Sequence, residues 1–451
     1  MPCGAAPTRR PGVGAAGFGS SGRICEPVVT GSRQRGRRTL LLFTFALSLI
    51  TFLDRVALGS AASAVSADLG LTKVTLGWAF STFIFAYALF EIPSGWLGDT
   101  FGPRKSLTRI VIWWSVFCAA TGAVWNLTSL ICSQFLFGAG EAGAYPNISK
   151  SFSRWFPVRQ RGFAHATVFA ASRVGGAIAP PLVVFILQRA GWRPAFWIFG
   201  SVGLVWAALW WTWFRDRPED HPGVSREELK EIQEGLAPSV AAVLGWRHLL
   251  QPNMLLVCAM YFCIIYGLYF YLTWLPTYFK EARGFSQVQA AWLSSMVLIT
   301  GGVMALLGGW LTDWLARGYG LKIGRSIGVV ALPASGLCLI AAALVPNAFT
   351  AAALFAGAAG LADMCLSPSW AICHDIGGNA VGTVTGAMNT FGNLGGALSP
   401  SVVAYVLQWS GSWKAPLLIG GGVYILGGLL TYLVDPRAAL VPGTRLAGAV
   451  K

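Results

Sequence analysis

Six ionisable residues stand inside long apolar stretches: Asp54, Arg55, Glu91, Glu141, Arg173 and Asp363. A charge at bilayer depth is expensive and marks a functional group by default. Carboxyls in such places suit proton exchange, because desolvation penalises their charged form. Guanidinium groups suit the binding of anions, which they grip with a planar fork of donors. No nucleophile stands beside a base. The cysteines Cys118, Cys132, Cys258, Cys263, Cys338, Cys365 and Cys373 fall inside apolar segments without paired metal spacing. His374-Asp375 is a lone pair near a helix end and makes no metal site. The reading is therefore not an enzyme, with no cofactor and no metal.

The elements that position these groups must be membrane helices. Of 451 residues 55% are hydrophobic and 11% charged, against roughly 25% charged in a soluble domain. Mean hydropathy is +0.59. Residues 253–279, 285–312, 326–362 and 376–413 hold no Asp, Glu, Lys or Arg, and about 20 apolar residues cross a bilayer. Hydropathy and breakers predict twelve spans: 39–64, 76–97, 106–126, 129–149, 163–188, 194–214, 253–278, 287–312, 325–345, 349–373, 380–408 and 415–434. The net charge of +15 does not call for a nucleic acid, because basic residues alternate by side as the positive-inside rule asks. Arg33, Arg35, Arg37 and Arg38 precede the first span; Arg104, Lys105 and Arg109 follow the second; Lys150, Arg154, Arg159 and Arg161 follow the fourth; Arg317, Lys322 and Arg325 follow the eighth. Both termini are expected in the cytoplasm, with residues 1–37 and 436–451 as tails, the first disordered.

The chain divides in two. Residues 215–252 form the one sizeable hydrophilic interior segment, and Ser225-Arg-Glu-Glu228 starts a capped surface helix within it. Residues 38–214 and 253–435 are the six-helix bundles on either side. Gly175-Gly-Ala-Ile-Ala-Pro180 recurs as Gly395-Gly-Ala-Leu-Ser-Pro400 at an offset of 220; Gly95-Trp-Leu-Gly-Asp99 recurs as Gly309-Trp-Leu-Thr-Asp313 at 214; Glu141 with Pro146 recurs as Asp363 with Pro368 at 222. A parallel duplication of this kind belongs to carriers that rock two halves about a midplane site.

The stretch Gly95-Trp-Leu-Gly-Asp-Thr-Phe-Gly-Pro-Arg104-Lys105 resembles the loop signature of the major facilitator superfamily. Within it the chain is similar to the anion:cation symporters, which include proton-coupled carriers of galactonate, hexuronates, glucarate and phthalate. The carrying features are Phe52-Leu-Asp54-Arg55, Glu91-Ile-Pro-Ser-Gly-Trp96, Gly138-Ala-Gly-Glu141-Ala-Gly-Ala-Tyr-Pro146, Arg154-Trp-Phe-Pro157 with Arg161-Gly162, Trp274-Leu-Pro276, and Gly386-Ala-Met-Asn389 with Gly392-Asn393-Leu-Gly-Gly396. They cover residues 40–435. The resemblance implies an all-α membrane protein of two pseudo-symmetric six-helix bundles in the cell inner membrane, working as a monomer.

The resemblance also assigns roles. It implies that Asp54 and Glu141 handle protons and that Arg55 binds a substrate carboxylate. Residue 134 is an arginine in the sugar-acid carriers and Gln134 here, so one anchor is replaced. Ser172 matches a polar substrate contact and Tyr87 a substrate-contacting tyrosine. Arg173 is either a substitute anchor or the partner of a carboxylate such as Glu141, and Glu141 could equally be salt-bridged to Arg55 for packing. Tyr266, Tyr269, Trp274, Trp370, Asn389 and Asn393 are candidates for the substrate wall from the second half. Gly95, Asp99, Gly102, Arg104 and Asp313 belong to the gating motif; Glu91 lies close to it and is expected to lock the cytoplasmic gate region rather than touch substrate. Asp363 shares a helix face with Trp370 and is a further coupling group or a cation site. The function expected is proton-coupled symport of a sugar acid or aromatic carboxylate. Proton-antiport export of an uncharged or cationic compound and a carrier-derived membrane sensor are the alternatives.

Overall fold

A chain this apolar can satisfy its backbone inside a bilayer only by forming helices or a closed barrel, and it forms helices. The computed structural model describes residues 35–156, 158–234, 246–377, 381–438 and 440. The first half runs α1 (Arg35–Leu69), α2 (Lys73–Phe101), α3 (Pro103–Thr121), α4 (Leu127–Glu141), α5 (Ala144–Trp155), α6 (Val158–Ala190) and α7 (Arg193–Trp213). The linker carries α8 (Arg226–Glu234) and the short α9 (Trp246–Leu249). The second half runs α10 (Pro252–Thr273), α11 (Leu275–Glu281), α12 (Gln287–Tyr319), α13 (Leu321–Gly324), α14 (Ile327–Leu344), α15 (Ala348–Asp363), α16 (Leu366–Gly377), α17 (Val381–Ser410) and α18 (Lys414–Leu433).

Every predicted span is present as a helix or an interrupted helix. Among the described residues nine helices are long and apolar enough to cross a membrane. The other three predicted spans are α3, which opens on Arg104 and Lys105, the interrupted pair α4–α5, and α17, which carries Asn389 and Asn393. Three spans break where a proline follows: α4–α5 before Pro146, α10–α11 before Pro276 and α15–α16 before Pro368. A proline ring clashes with the carbonyl four residues back and removes a hydrogen bond, so the helix restarts with proline in its first turn.

The two halves pack alike. In the first, α1 lies on α6, α3 on α7 and α2 on α4; in the second, α10 lies on α17, α14 on α18 and α12 on α15. They meet through α2 against α17, α6 against α12, and α1 against α10 and α11. At the end opposite the linker the seam is closed. Lys73 pairs with Glu281 at 2.5 Å, the Trp78 indole N–H donates to the Tyr405 hydroxyl at 3.0 Å, and the Ser81 and Ser401 hydroxyls meet at 2.8 Å. Gly59 makes the approach possible, because a Cβ there would stand 2.6 Å from the Leu272 carbonyl oxygen. The described cross-half bonds lie at mid-depth or nearer this closed end. Toward the linker α5 packs on α2, α3 and α6, and α16 on α10, α12 and α17, each within its own half.

Two of the boundary differences from the sequence expectation bear on charged residues. The first helix starts at Arg35, so the expected tail is shortened, and Arg37 is buried at 2% exposure. Its backbone N–H and Nε donate to Glu228 Oε1 at 2.9 and 3.3 Å. A charge read as free in a tail is thus held by the linker helix, whose expected cap is present: Ser225 Oγ accepts from the Glu228 N–H at 3.1 Å. The eighth span continues to Tyr319, carrying Asp313 within it. Residues 1–34 and 441–451, called tails above, lie outside the described residues.

Candidate functional site

The helix breaks place the acids. Glu141 is the last residue of α4 and Asp363 the last residue of α15. A helix C-terminus carries partial negative charge, so a carboxylate there needs a cation nearby. Each has one. The Arg55 Nε donates to Glu141 Oε1 within the first half. Arg173 Nη2 lies 3.3 Å from Asp363 Oδ2 and reaches across from α6 to the second half. Of the two roles considered for Arg173, a substitute anchor or the partner of a carboxylate such as Glu141, the structure shows a carboxylate partner, and it is Asp363 rather than Glu141.

Arg55 sits in an aromatic cage. Its guanidinium carbon is 4.5 Å from the Tyr87 ring centroid, 5.2 Å from Phe52 and 5.8 Å from Phe83. Such contacts hold a desolvated cation without neutralising it. Nη2 of Arg55 and Oε2 of Glu141 are buried without a partner among the described residues. Asp54, one residue earlier, points elsewhere, as the 100° step along a helix requires. It is 2% exposed, and neither carboxyl oxygen has a partner among the described residues. Asp54, Arg55, Gln134, Phe137 and Tyr269 line a cavity of about 20 Å³, room for about one water. A larger hollow of about 310 Å³, lined by Thr72, Lys73, Gln408 and Trp413, lies at the closed end and contains none of the six membrane-depth charges.

The remaining candidates divide. Gln134 lines the cavity, and its Nε2 donates to Thr121 Oγ1 at 3.1 Å. Asn389 and Asn393, one turn apart on α17, both donate to Glu91 of α2, at 2.8 and 3.3 Å. Glu91 therefore bonds between the halves. The Trp370 indole N–H donates to the Tyr261 hydroxyl at 3.1 Å. The Ser172 hydroxyl donates to the Phe169 carbonyl of its own helix at 2.6 Å. Tyr266 is buried and stacks on Phe262 at 6.5 Å. Trp274 is not brought into the site: fully buried at the α10–α11 break, it donates to the Pro400 carbonyl at 3.1 Å and packs on Phe80 of the first half.

The motif loop is anchored within its own half. Gly102 turns at φ 83°, and a Cβ there would stand 2.7 Å from Asp216 Oδ2. Asp216 accepts the Arg104 N–H at 3.0 Å, and the Arg104 Nη2 donates to the Trp211 carbonyl at 2.6 Å. Gly95 faces Pro146; the side chain of Asp99 lies outside the described residues. In the second half Arg325 stands 3.6 Å from Asp313 and 2.7 Å from Asp375, tying α12 to α16. Asp375 of the His374-Asp375 pair is thus engaged in an ion pair. Sequence reasoning missed Tyr145 and Tyr261. Tyr145 bonds Ser48 at 3.0 Å, and its place inside the quoted Glu141–Pro146 segment was the available signal.

A family model described as the Major Facilitator Superfamily matches residues 44–400. The probable sulfoacetate transporter SauU of Cupriavidus necator is 35% identical over 424 residues, covering 93% of this chain and 98% of that protein. A hexuronate transporter of Bacillus subtilis is 28% identical, covering 88% and 94%. The probable galactarate/D-glucarate transporter GudP of Escherichia coli is 29% identical, covering 89% and 94%. Among solved structures a bacterial homologue of the human lysosomal transporter Spinster, inward-facing and unoccupied, superposes with a TM-score of 0.74 at 17% identity over 92% of this chain and all of that one. The sulfoacetate, hexuronate and galactarate/glucarate relatives are transporters of the anion:cation symporter type and not enzymes.

Proposed function

Because the chain belongs to the Major Facilitator Superfamily, we propose that it is a secondary carrier that takes up a small organic anion together with protons by alternating access. The relatives named for sulfoacetate, hexuronate and glucarate support the substrate class. The observation that carries the reading is Arg55, held in its aromatic cage with Glu141 as its one described ion-pair partner. A proton arriving on Glu141 ends that ion pair and frees the guanidinium for a substrate's anionic group, a charge-assisted contact of the stronger kind. Asp54, buried without a partner beside the cavity, is the second proton carrier, since an uncompensated buried charge is costly. Tyr87, Gln134, Tyr269, Asn389 and Asn393 supply ring faces, hydroxyls and amides around it. The chain lies in the cell inner membrane with both termini in the cytoplasm, and the end that carries the linker faces inward.

Purified protein in liposomes, given radiolabelled sulfoacetate, tests this directly. Accumulation driven by an imposed proton gradient and independent of sodium is expected. Sodium-driven accumulation overturns the proton, and no uptake of sulfoacetate, hexuronate or glucarate overturns the substrate class.

A further inference from the structure

The two halves carry an acid at the same place, and each acid holds a different arginine. Glu141 and Asp363 each end a helix at a break, five residues before Pro146 and Pro368 respectively. Glu141 meets Arg55 and Asp363 meets Arg173. The second pair is built as deliberately as the first. Its floor is α12, where a Cβ on Gly302 would stand 2.9 Å from Arg173 Cβ and 3.0 Å from its Cγ, and a Cβ on Gly301 would press on the Asp363 carboxylate. Only residues without side chains let both partners lie against that backbone. The pair is also the looser one. Its single described contact is 3.3 Å, longer than the usual charge-assisted bond of about 2.7–2.9 Å, and the Arg173 side chain keeps 15% exposure.

An aromatic wall joins the two pairs. Tyr145 lies within electrostatic reach of both Arg55 and Arg173. It stacks on Phe169 at 6.2 Å, Phe169 meets Trp370 across the halves at 6.0 Å, and Trp370 bonds Tyr261, itself within reach of Arg173.

We propose that Arg173 is a second anion subsite and that the substrate is a small molecule with an anionic group at each end, one taken by Arg55 and the other by Arg173. This rests on the anion-carrier reading above and narrows it. With the site empty, each arginine keeps its resident carboxylate. The second anionic group displaces Asp363 and so parts a bond between the halves, which a one-headed anion seated on Arg55 leaves in place. Substrates with two charged ends are selected because only they replace both counter-ions.

The test is binding to the purified full chain, by calorimetry, of sulfoacetate, malonate and glucarate against acetate and methanesulfonate. Wild type should bind at least one two-headed anion tenfold or more tightly than either one-headed anion. Arg173→Gln should weaken that binding by roughly ten- to a hundredfold, the worth of a charged hydrogen bond, and leave one-headed anions within about twofold. The double variant Arg173→Gln with Asp363→Asn removes both charges together, keeps no unpaired ion in the fold, and should behave the same. Asp363→Asn alone should tighten two-headed anions by removing their competitor. Equal weakening of all anions, or unchanged two-headed binding in the double variant, overturns the second subsite while the anion-carrier reading stands. Failure of wild type to bind any of the five overturns that reading, and the subsite with it.

Discussion

Arg173 of α6 and Asp363 of α15 form an ion pair that joins the two halves of the molecule at membrane depth. Gly301 has to remain a glycine for the pair to form, since an added methyl meets the Asp363 carboxylate. Gly301→Ala should therefore lower thermal stability by about 1–3 kcal/mol, the usual cost of overpacking. In an Asp363→Ala background the same substitution should cost far less, because the truncated side chain leaves room. Equal losses in both backgrounds, read as melting temperatures, would place the clash elsewhere.

Glu141→Gln keeps the shape of the site and removes the exchangeable proton. Concentrative uptake in liposomes should vanish, while exchange of internal for external substrate, which needs no net proton movement, should continue at a substantial rate. Full-rate accumulation in this variant would remove Glu141 from the coupling step.

The closed end can be pinned. The Ser81 and Ser401 hydroxyls are 2.8 Å apart across the seam, a separation compatible with the Cβ spacing of a disulfide. The pair Ser81→Cys with Ser401→Cys should cross-link under mild oxidant, stop transport and recover with reductant. After cleavage in the linker, gel mobility reports the bond; two separate halves under oxidant would mean the seam is open for most of the cycle.

His221 gives the linker a pH dependence outside the membrane. Its Nδ1 accepts the Gly223 N–H at 3.0 Å, and its ring packs on Trp155 and Trp213 at 5.4 and 4.8 Å. Burial, with Arg215 beside it, pushes the imidazole below its ordinary value. The neutral ring is then the form the fold prefers, and the unfolded turn binds the proton more readily. Stability from this contact is present above about 6.5, the ordinary histidine value, and is lost as pH falls through the lower folded value. Limited proteolysis of the linker should quicken on acidification in wild type and lose that pH dependence in His221→Gln.

Much of this molecule is legible in one dimension. The twelve spans follow from hydropathy because a bilayer leaves the backbone no alternative to the helix. The two halves follow from the repeats at Gly175 and Gly395 and at Glu141 and Asp363. Even the linker cap at Ser225 can be read from four residues, since a cap is a local hydrogen bond. Asp54, Arg55 and Glu141 stand out for a simple reason: few charges are tolerated at that depth, so each one present is conspicuous.

Partnership is what the chain order could not decide. Arg173 finds Asp363 rather than Glu141, Glu91 finds two asparagines of the other half, and Arg37 is drawn from an expected tail onto Glu228. Each of these depends on how α6 meets α12 and α15, how α2 meets α17, and where α8 docks. Hydropathy says that a helix crosses and which residues are costly within it. It does not set the rotation of that helix about its axis or the neighbour it faces. Those are fixed by packing between segments more than a hundred residues apart, where glycines such as Gly59 and Gly302 let two backbones close and so choose which charges meet.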